Sequence, residues 1–314
     1  MRSRLYGKLG DRLFAGVLVA LGGAVMLIAA LMAWELWSGG ALAFRTFGFW
    51  KFTFGSAWDA VSGQFGAWPF LLGTIITSVA ALTISFLPSL AAAIAIAEYA
   101  PRWLGEVIAY LIDLLAALPS VVYGLWGIFV LVPLVRDHLE QPLFLWSAEH
   151  APALMGVLGP PTGIGMLSAV LVLALMIVPY ASSLARDAIR LVPRAQREAM
   201  YALGATRWEV VRRVVLPYAR GGIFAGVILA LARAIGETMA VTMLIGNSGQ
   251  LPYSVFGPAA TMASVIANEF AEAEGGLQLS SLLAVGFLLM LLSLAVNLVA
   301  DFILRRMSVG EGRK

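Results

Sequence analysis

Six long apolar segments constrain this chain more than any other feature. In the 314-residue sequence they cover residues 13–37, 70–98, 104–135, 163–186, 221–246 and 279–304. About 20 mostly apolar residues suffice to cross a bilayer as a helix, and inside the bilayer every backbone N–H and C=O must bond within the protein. An α-helix meets that demand locally. The sequence therefore predicts an all-α membrane protein with six transmembrane helices.

The composition agrees with a chain that lies mostly inside a membrane. Hydrophobic residues make up 61% and charged residues 12% of the sequence, with a mean hydropathy of +0.89. A soluble domain carries about 25% charged residues. There is no cysteine, which excludes disulfides and thiolate metal sites. The two histidines, His138 and His150, share one polar segment, and we expect ordinary loop residues and no metal site there.

The distribution of positive charge predicts the orientation. The N-terminal tail, the turn at Arg102, the 187–220 loop with the adjoining Arg186, and the tail after residue 304 hold 17 of the 21 lysines and arginines. Loops rich in lysine and arginine stay in the cytoplasm. Both termini and the 187–220 loop are therefore predicted to face the cytoplasm. The protein itself is predicted to lie in the cell (inner) membrane. The pI of about 9.3 follows from this bias and does not call for a nucleic-acid partner.

The remaining loops divide the chain further. The 247–278 loop carries Glu269, Glu272 and Glu274 without any lysine or arginine, as expected outside the cell. Segment 13–37 is longer than a signal-peptide core, so we expect a retained first span. We predict three regions, listed as 1–69 (tail, first helix and external loop), 70–304 (permease-like domain) and 305–314 (cytoplasmic tail).

Proline marks one irregular point in the predicted spans. Pro88 lies within the second segment and Pro119 within the third. A proline in a helix lacks a donor and crowds the preceding turn. The third segment is also longer than a bilayer requires, so we expect a helix that is either tilted or broken at residues 118–120.

Two opposite charges lie inside the fifth segment, at Arg233 and Glu237. Each costs roughly 2.5–3.5 kcal/mol to insert, and their i, i+4 spacing predicts an ion pair on one helix face. The planar guanidinium group matches the oxygens of a phosphate-like anion. Two hypotheses stay open. Arg233 binds a passing anion and Glu237 holds Arg233 between passages, or the pair only fixes the packing.

A third intramembrane acid, Asp113, lies six residues before Pro119. We expect it to pair with Arg233 across helices or to bond the backbone at the break, and we include it with Arg233 and Glu237 in the candidate path. The alternative is a polar group that serves helix packing alone.

The cytoplasmic segment 191–217 predicts two short helices. A first helix over 194–203 has Pro193 at its first position and Gly204 at its C-cap. Thr206 and Glu209 then form a T-x-x-E capping box that opens a second helix. Two helices joined at a glycine would make a compact unit, which we call the coupling knob (residues 191–217).

The second helix of the knob is predicted to end at Pro217 and to present Trp208, Val211 and Val215 on one face. A basic loop against anionic lipid is one interpretation of this segment. The paired helix signals and the mixture of apolar and arginine residues favour a docking site for a protein.

The knob also carries a family signature. Glu198, Ala199, Gly204, Leu216 and Pro217 stand in a pattern that resembles the EAA loop of binding-protein-dependent ABC transporter permeases, with a methionine in place of the third motif residue. The resemblance implies that these residues couple the chain to a cytoplasmic ATPase. It also implies the architecture of a type I ABC importer permease.

Two membrane motifs narrow the resemblance. Residues 116–127 (AALPSVVYGLWG) and 230–241 (ALARAIGETMAV) are similar to the PstC-type permeases of phosphate import, over about residues 70–304. The implied partners are a PstA-like permease subunit, a dimer of PstB-like ATPases that binds ATP, an external phosphate-binding protein and membrane lipid. Loops 38–69, 136–162 and 247–278 would receive the binding protein.

The chain has no ATP-binding motif of its own. None of its three lysines, Lys8, Lys51 and Lys314, follows glycine in a G-x-x-x-x-G-K-[ST] loop. We therefore predict a transport subunit without ATPase activity or cofactor. The alternatives are a permease for sulfate or molybdate, an ion-driven transporter in which Glu237 and Asp113 carry protons, and a membrane enzyme acting on a lipid phosphate.

Overall fold

The computed structural model describes residues 2–273 and 275–309. Glu274 and residues 310–314, which figured in the orientation argument, lie outside the described residues, as do the side chains of the basic residues before position 13.

The described chain is almost entirely helical. The helices are α1 (Arg2–Phe47), α2 (Phe49–Phe54), α3 (Trp68–Ile94), α4 (Arg102–Ala117), α5 (Ser120–Trp126), α6 (Val132–Val135), α7 (Gln141–His150), α8 (Met155–Leu158), α9 (Met166–Arg190), α10 (Arg194–Ala202), α11 (Arg207–Val210), α12 (Leu216–Ile235), α13 (Met239–Leu244), α14 (Met262–Glu269) and α15 (Gly276–Val309). Wider π-helical turns join several of them, at Ala95–Tyr99, Gly127–Leu131, Arg136–Glu140 and Val211–Val215, and a 3-10 turn covers Pro152–Leu154. One small antiparallel pair, β1 (Trp58–Asp59) with β2 (Gln64–Phe65), lies in the loop before α3.

Six helical stretches in the described residues are long and apolar enough to cross a membrane. They are Leu13–Phe47, Trp68–Tyr99, Ser120–His150, Met166–Arg190, Arg207–Ile235 and Gly276–Arg306. The prediction of an all-α protein with six transmembrane helices is confirmed, although several boundaries differ.

The third span differs most from its predicted range of 104–135. The chain breaks at Leu118, whose φ of −66° and ψ of 135° are extended, because a residue before proline disfavours the helical region. α4 is therefore a separate helix, and the spanning stretch Ser120–His150 begins after the break. The expected break is confirmed. The expected external loop at 136–162 is wrong over its first part, since both histidines lie on this helix.

The fifth span also differs from its predicted range of 221–246. It begins at Arg207, because the helix passes Pro217 instead of ending there. A π-helical turn, Val211–Val215, lies immediately before the proline, and the Leu216 N–H bonds to the Val211 carbonyl across it. At its other end the span stops at Ile235, and α13 starts a new helix after Gly236 and Glu237.

α9 is the central helix of the fold. In the most apolar 18 residues of each span, 61% of α9 is buried, against 0–28% for the other five. α3 and α12 pack along it, and α4 lies against its C-terminal half. α1 and α15 form a separate pair. The Trp58 indole N–H bonds to Glu269, 3.0 Å from Oε2, and so joins the small strand pair to α14. Large apolar side chains are exposed along α1 and α4. Such a surface suits contact with lipid or with another subunit.

A glycine permits the close approach of α5 and α13. A Cβ at Gly124 would lie 2.5 Å from Met243 Sδ and 3.3 Å from the Ala240 Cα. The two helices therefore touch backbone to backbone, in the manner of small residues at membrane helix contacts.

We predict that Gly124→Leu lowers the thermal stability of the purified protein by overpacking this contact, by about 1–3 kcal/mol. Gly221→Leu is the matched control, because a Cβ at Gly221 in α12 would meet nothing within 4 Å. Thermal unfolding in detergent measures both variants. Equal midpoints for the two would show that the α5–α13 contact does not depend on the glycine.

Candidate functional site

The break in the fifth span is built around Glu237. α12 ends with a tight turn in which the Glu237 N–H bonds to the Ala234 carbonyl at 3.3 Å. The Glu237 side chain then turns back into the protein, where it is 2% exposed. Its Oε1 accepts from the Ala240 N–H at 3.3 Å, in the first turn of α13. One carboxylate therefore bridges the end of α12 and a free amide at the start of α13.

The predicted ion pair between Arg233 and Glu237 is confirmed. Arg233 Nη1 lies 2.6 Å from Glu237 Oε2, and the Arg233 side chain remains 34% exposed. Oε2 has no hydrogen bond of good geometry among the described residues, so the contact is an ion pair by distance alone. The expectation that both residues lie on one continuous helix is wrong. Arg233 belongs to α12, and Glu237 follows the break at Gly236.

This arrangement leaves Arg233 able to bind an anion. Its guanidinium group has five N–H donors, and the buried carboxylate faces one side of it. The Arg233 side chain is 34% exposed. A partly exposed cation that is held by a buried acid can bind an anion transiently without holding it too tightly.

The motif at 116–127 contains the second helix break and also supplies a group that replaces a hydrogen bond lost there. Pro119 has no N–H for the Leu115 carbonyl four residues earlier. The Tyr123 hydroxyl donates to that carbonyl at 2.8 Å. The Tyr180 hydroxyl of α9 donates to the next carbonyl along the chain, that of Ala116, at 3.2 Å. Since α5 also packs against α13 through Gly124, the two motifs meet, and each contains a break at one end of a spanning helix.

Asp113 has a different partner from the one expected. Its Oδ2 lies 3.7 Å from Arg186 Nη1, and Arg186 Nε bonds to Asp187 at 3.0 Å. The Asp113 side chain is 53% exposed, whereas Arg186 is 10% exposed. The expectation of a pair with Arg233 is wrong, because the break places Asp113 on α4, against the C-terminal half of α9. Nothing in this geometry brings Asp113 to the Arg233–Glu237 pair.

The joint of the coupling knob has the predicted glycine. Leu203 is the C-cap of α10, and Gly204 follows with a φ of +84°. The Gly204 N–H bonds to the Tyr201 carbonyl and the Ala205 N–H to the Met200 carbonyl. These two bonds define a Schellman motif. Gly204 is thus fixed by its left-handed conformation, which costs other residues roughly 1 kcal/mol or more.

The start of the second knob helix is also as predicted. The Glu209 N–H bonds to Thr206 Oγ1, while the Thr206 N–H bonds to Glu209 Oε2 at 2.8 Å. The capping box is therefore confirmed. Pro193 stands at the N-cap of α10 instead of its first helical position.

The surface of the knob divides into a buried and an exposed side. Val211 and Val215 are fully buried, but Trp208 is 53% exposed, so the prediction of one shared face is wrong for Trp208. Glu198, Ala199, Gly204 and Pro217 are exposed and Leu216 is half-buried. Leu203 is 83% exposed. The knob thus offers an apolar surface flanked by arginines on its free side.

An ion pair absent from the sequence-based predictions fixes the other side of the knob. Arg197 Nη2 lies 2.7 Å from Glu98 Oε1, with side-chain exposures of 17% and 9%. Glu98 ends the second span, 99 residues away from Arg197 in the sequence. Both charges were visible in the sequence, but nothing in it assigns partners over that distance.

Within the part of the chain that the structure describes, no group of three or more histidine or acidic side chains could hold a metal ion.

The fold and the knob together define a membrane permease. Residues 89–309 match the model of the family described as binding-protein-dependent transport system inner membrane component. The chain belongs to this family.

Curated relatives cover nearly the whole chain. The phosphate transport system permease protein PstC of Pasteurella multocida is 41% identical over 96% of this chain and 92% of its own length. PstC of Haemophilus influenzae is 42% identical over 96% and 93%. A probable PstC of Methanocaldococcus jannaschii is 39% identical over 74% and 73%. The resemblance of the two membrane motifs to PstC-type permeases is thus confirmed.

Solved structures show the same fold. A bacterial alginate ABC transporter in complex with its periplasmic protein matches with a TM-score of 0.61, at 16% identity, over 93% of this chain and 94% of that chain. The MetNI methionine ABC transporter in an inward-facing conformation matches with a TM-score of 0.53, at 18% identity, over 75% and 93%. The architecture of a type I ABC importer permease is confirmed.

We predict that Glu237→Gln destabilises the protein by about 1–2 kcal/mol. The variant keeps an oxygen for the Ala240 N–H but leaves Arg233 without its counter-charge, and the partial exposure of Arg233 reduces the cost. Thermal unfolding of purified protein measures the change. Glu35→Gln, at an exposed position of α1, is the control. An unchanged midpoint for Glu237→Gln would show that the pair contributes nothing to the fold.

Proposed function

We propose that the chain is the permease subunit through which an ATP-driven importer moves inorganic phosphate across the cytoplasmic membrane. The observation that carries this proposal is the identity of about 41% to curated PstC proteins over 96% of the chain. At that level over nearly the full length, the motifs of the permease are shared along with its fold.

We further propose the assembly in which it works. The partners are a PstA-like permease, two PstB-like ATPases that bind the ATP, and an external phosphate-binding protein. The exposed apolar side of the knob, with Leu203 and Trp208, supports an ATPase dock. The partial exposure of Arg233 supports an anion path that the second permease completes. Each permease subunit would supply half of the residues that line the path.

Transport then follows from the continuous helix that links the knob to Arg233. The stretch Arg207–Ile235 starts inside the knob and ends two residues after Arg233. Closure of the ATPases would displace the knob, and the displacement would pass along this helix. This direction requires the knob and both termini in the cytoplasm, as the positive charges predict.

At the outer end of that helix, Arg233 would receive the dehydrated anion. Phosphate near neutral pH carries one or two negative charges, and a guanidinium donates to two of its oxygens at once. Glu237 would take Arg233 back after the anion leaves. Because it also caps α13, its position is independent of whether the anion is present.

The identity of the anion is tested by uptake. The complete complex, reconstituted with its binding protein, should take up labelled phosphate in an ATP-dependent manner. Excess unlabelled phosphate should abolish the signal, and sulfate and molybdate should not. Competition by sulfate or molybdate would show that the transported substrate is another oxyanion and not phosphate. Uptake by this chain alone, driven by a proton gradient, would contradict an ABC importer altogether.

We predict that Arg233→Gln lowers phosphate uptake per molecule of protein in the membrane at least tenfold. The reason is that glutamine retains polarity but cannot neutralise a passing anion. Arg45→Gln, at an exposed position near the outer end of α1, is the charge-matched control. Normal uptake per molecule by Arg233→Gln would refute a direct role, and a loss of membrane protein with normal uptake per molecule would assign the pair to packing.

We predict that Gly204→Pro or Glu198→Lys uncouples ATP hydrolysis from uptake while the protein still inserts. Proline cannot adopt the left-handed conformation of Gly204 or donate the bond to the Tyr201 carbonyl. Lysine at position 198 reverses a charge on the exposed side of α10. Glu149→Lys, at the opposite end of the fold, is the control. If uptake per ATP hydrolysed is unchanged in both variants, the docking assignment is wrong.

A further inference from the structure

We propose that Glu98 is a positioning residue that fastens the coupling knob to the second span, so that movement of α10 displaces α3 as well as α12. The inference rests on the proposed function for the source of the movement. The inference goes beyond that function because it names a second route by which movement passes from the knob into the membrane helices. No part of the EAA-type motif contains this route.

Arg197 provides the first grip on Glu98. Its Nη2 lies 2.7 Å from Glu98 Oε1 and also donates to the Ile189 carbonyl at 2.8 Å. Its Nη1 donates to the Val192 carbonyl at 2.5 Å. One guanidinium group on α10 thus ties together the end of α9, the linker that follows it and the end of the second span.

Arg207 provides a second, independent grip on the same residue. Its Nη2 donates to the backbone carbonyl of Glu98. Its guanidinium carbon lies 4.7 Å from the centre of the Tyr99 ring, a cation–π contact. Arg197 belongs to α10 and Arg207 to α11, so both helices of the knob hold one residue of the second span, by its side chain and by its main chain.

The burial of this contact separates it from an ordinary surface ion pair. Exposed pairs contribute about 0–1 kcal/mol, whereas a charge left unpaired in a buried site is far more costly. The Glu98 and Arg197 side chains are 9% and 17% exposed. Beneath them lies a continuous apolar cluster, which joins the end of α3 to the knob and consists of Ala93, Ala185, Ile189, Val192, Val210, Val215 and Ala219.

The local backbone restricts the movement of Glu98. Glu98 lies in the π-helical turn Ala95–Tyr99, which continues α3 directly. The Ala100 N–H closes this turn by bonding to the Ala95 carbonyl at 2.8 Å. Isolated π turns are frequent at functional sites. A force on Glu98 therefore acts on the end of a regular helix and not on a loop.

The consequence is a pair of routes from the ATPase side to the membrane. The covalent route runs from α11 into α12. The second route runs from α10 through Arg197 and Glu98 into α3, which packs against α9 and α12. The knob would then tilt the two helices together, and severing the second route would leave α12 to move against a stationary α3.

The test uses the full complex, reconstituted in proteoliposomes. Glu98→Gln should lower phosphate uptake per ATP hydrolysed by about three- to tenfold. Glu106→Gln, at an exposed acid of the same cytoplasmic edge, should leave the ratio unchanged. The exchanged pair Glu98→Arg with Arg197→Glu should recover part of the loss. An unchanged ratio in Glu98→Gln, or a fall in the amount of assembled complex alone, would overturn the proposal in favour of a merely structural pair.

A second measurement does not depend on the stability of Glu98→Gln. The chain has no cysteine, so Glu98→Cys with Arg197→Cys gives a pair that a short bifunctional thiol reagent can join. The tethered complex should keep its ATP-dependent uptake, because the contact stays closed throughout the cycle. Loss of uptake on tethering would mean that the contact has to open, which contradicts the proposal.

Hydrogen exchange separates this inference from the proposed function. In the assembled complex with ATP and vanadate, protection at residues 194–203 and at residues 93–99 should change together, and Glu98→Gln should abolish the change at 93–99 alone. If the wild-type complex shows this pattern but transports no phosphate, the substrate assignment fails and the contact stands. If phosphate is transported and the two segments change independently, the contact fails.

Discussion

Backbone hydrogen bonding inside the bilayer is the constraint on which this structure depends. An unsatisfied N–H or C=O there costs several kcal/mol, so a spanning helix can be interrupted only where other groups replace the lost bonds. The chain breaks its helices at Pro119, just before the third span, and at Gly236, just after the fifth, and supplies the replacements itself. Tyr123 and Tyr180 bond the carbonyls before Pro119, and Glu237 bonds an amide after Gly236.

These repairs explain why the charged pair is where it is. Glu237 has to be buried to reach the Ala240 N–H, and a buried carboxylate needs a counter-charge. Arg233, one turn earlier on α12, provides it at 2.6 Å. The pair is therefore part of the break as well as a candidate for contact with the anion. The two roles share the same atoms, which is why a cation at this depth can persist whether or not an anion is bound.

Local patterns in the sequence sufficed for the spans, the knob, its left-handed Gly204 and its capping box, because each depends on residues a few positions apart. The break at Gly236 was missed, since one glycine in an apolar run costs only about 1 kcal/mol and is no strong signal. The partners of Asp113 and Glu98 were missed for another reason. Arg186 and Arg197 lie far along the chain from them, and one sequence contains no rule that pairs distant charges.

The π-helical turn Val211–Val215 has a geometrical consequence for the far end of its helix. A π turn contains one residue more than an α turn, so everything beyond it is rotated by about 100° relative to an uninterrupted α-helix. The azimuth of Arg233 about the axis of α12 is thus set at the opposite end of the helix, within the coupling knob. Were the turn to tighten into regular α geometry, the guanidinium would swing from its present face of the helix to another, with no change in the membrane-embedded residues themselves.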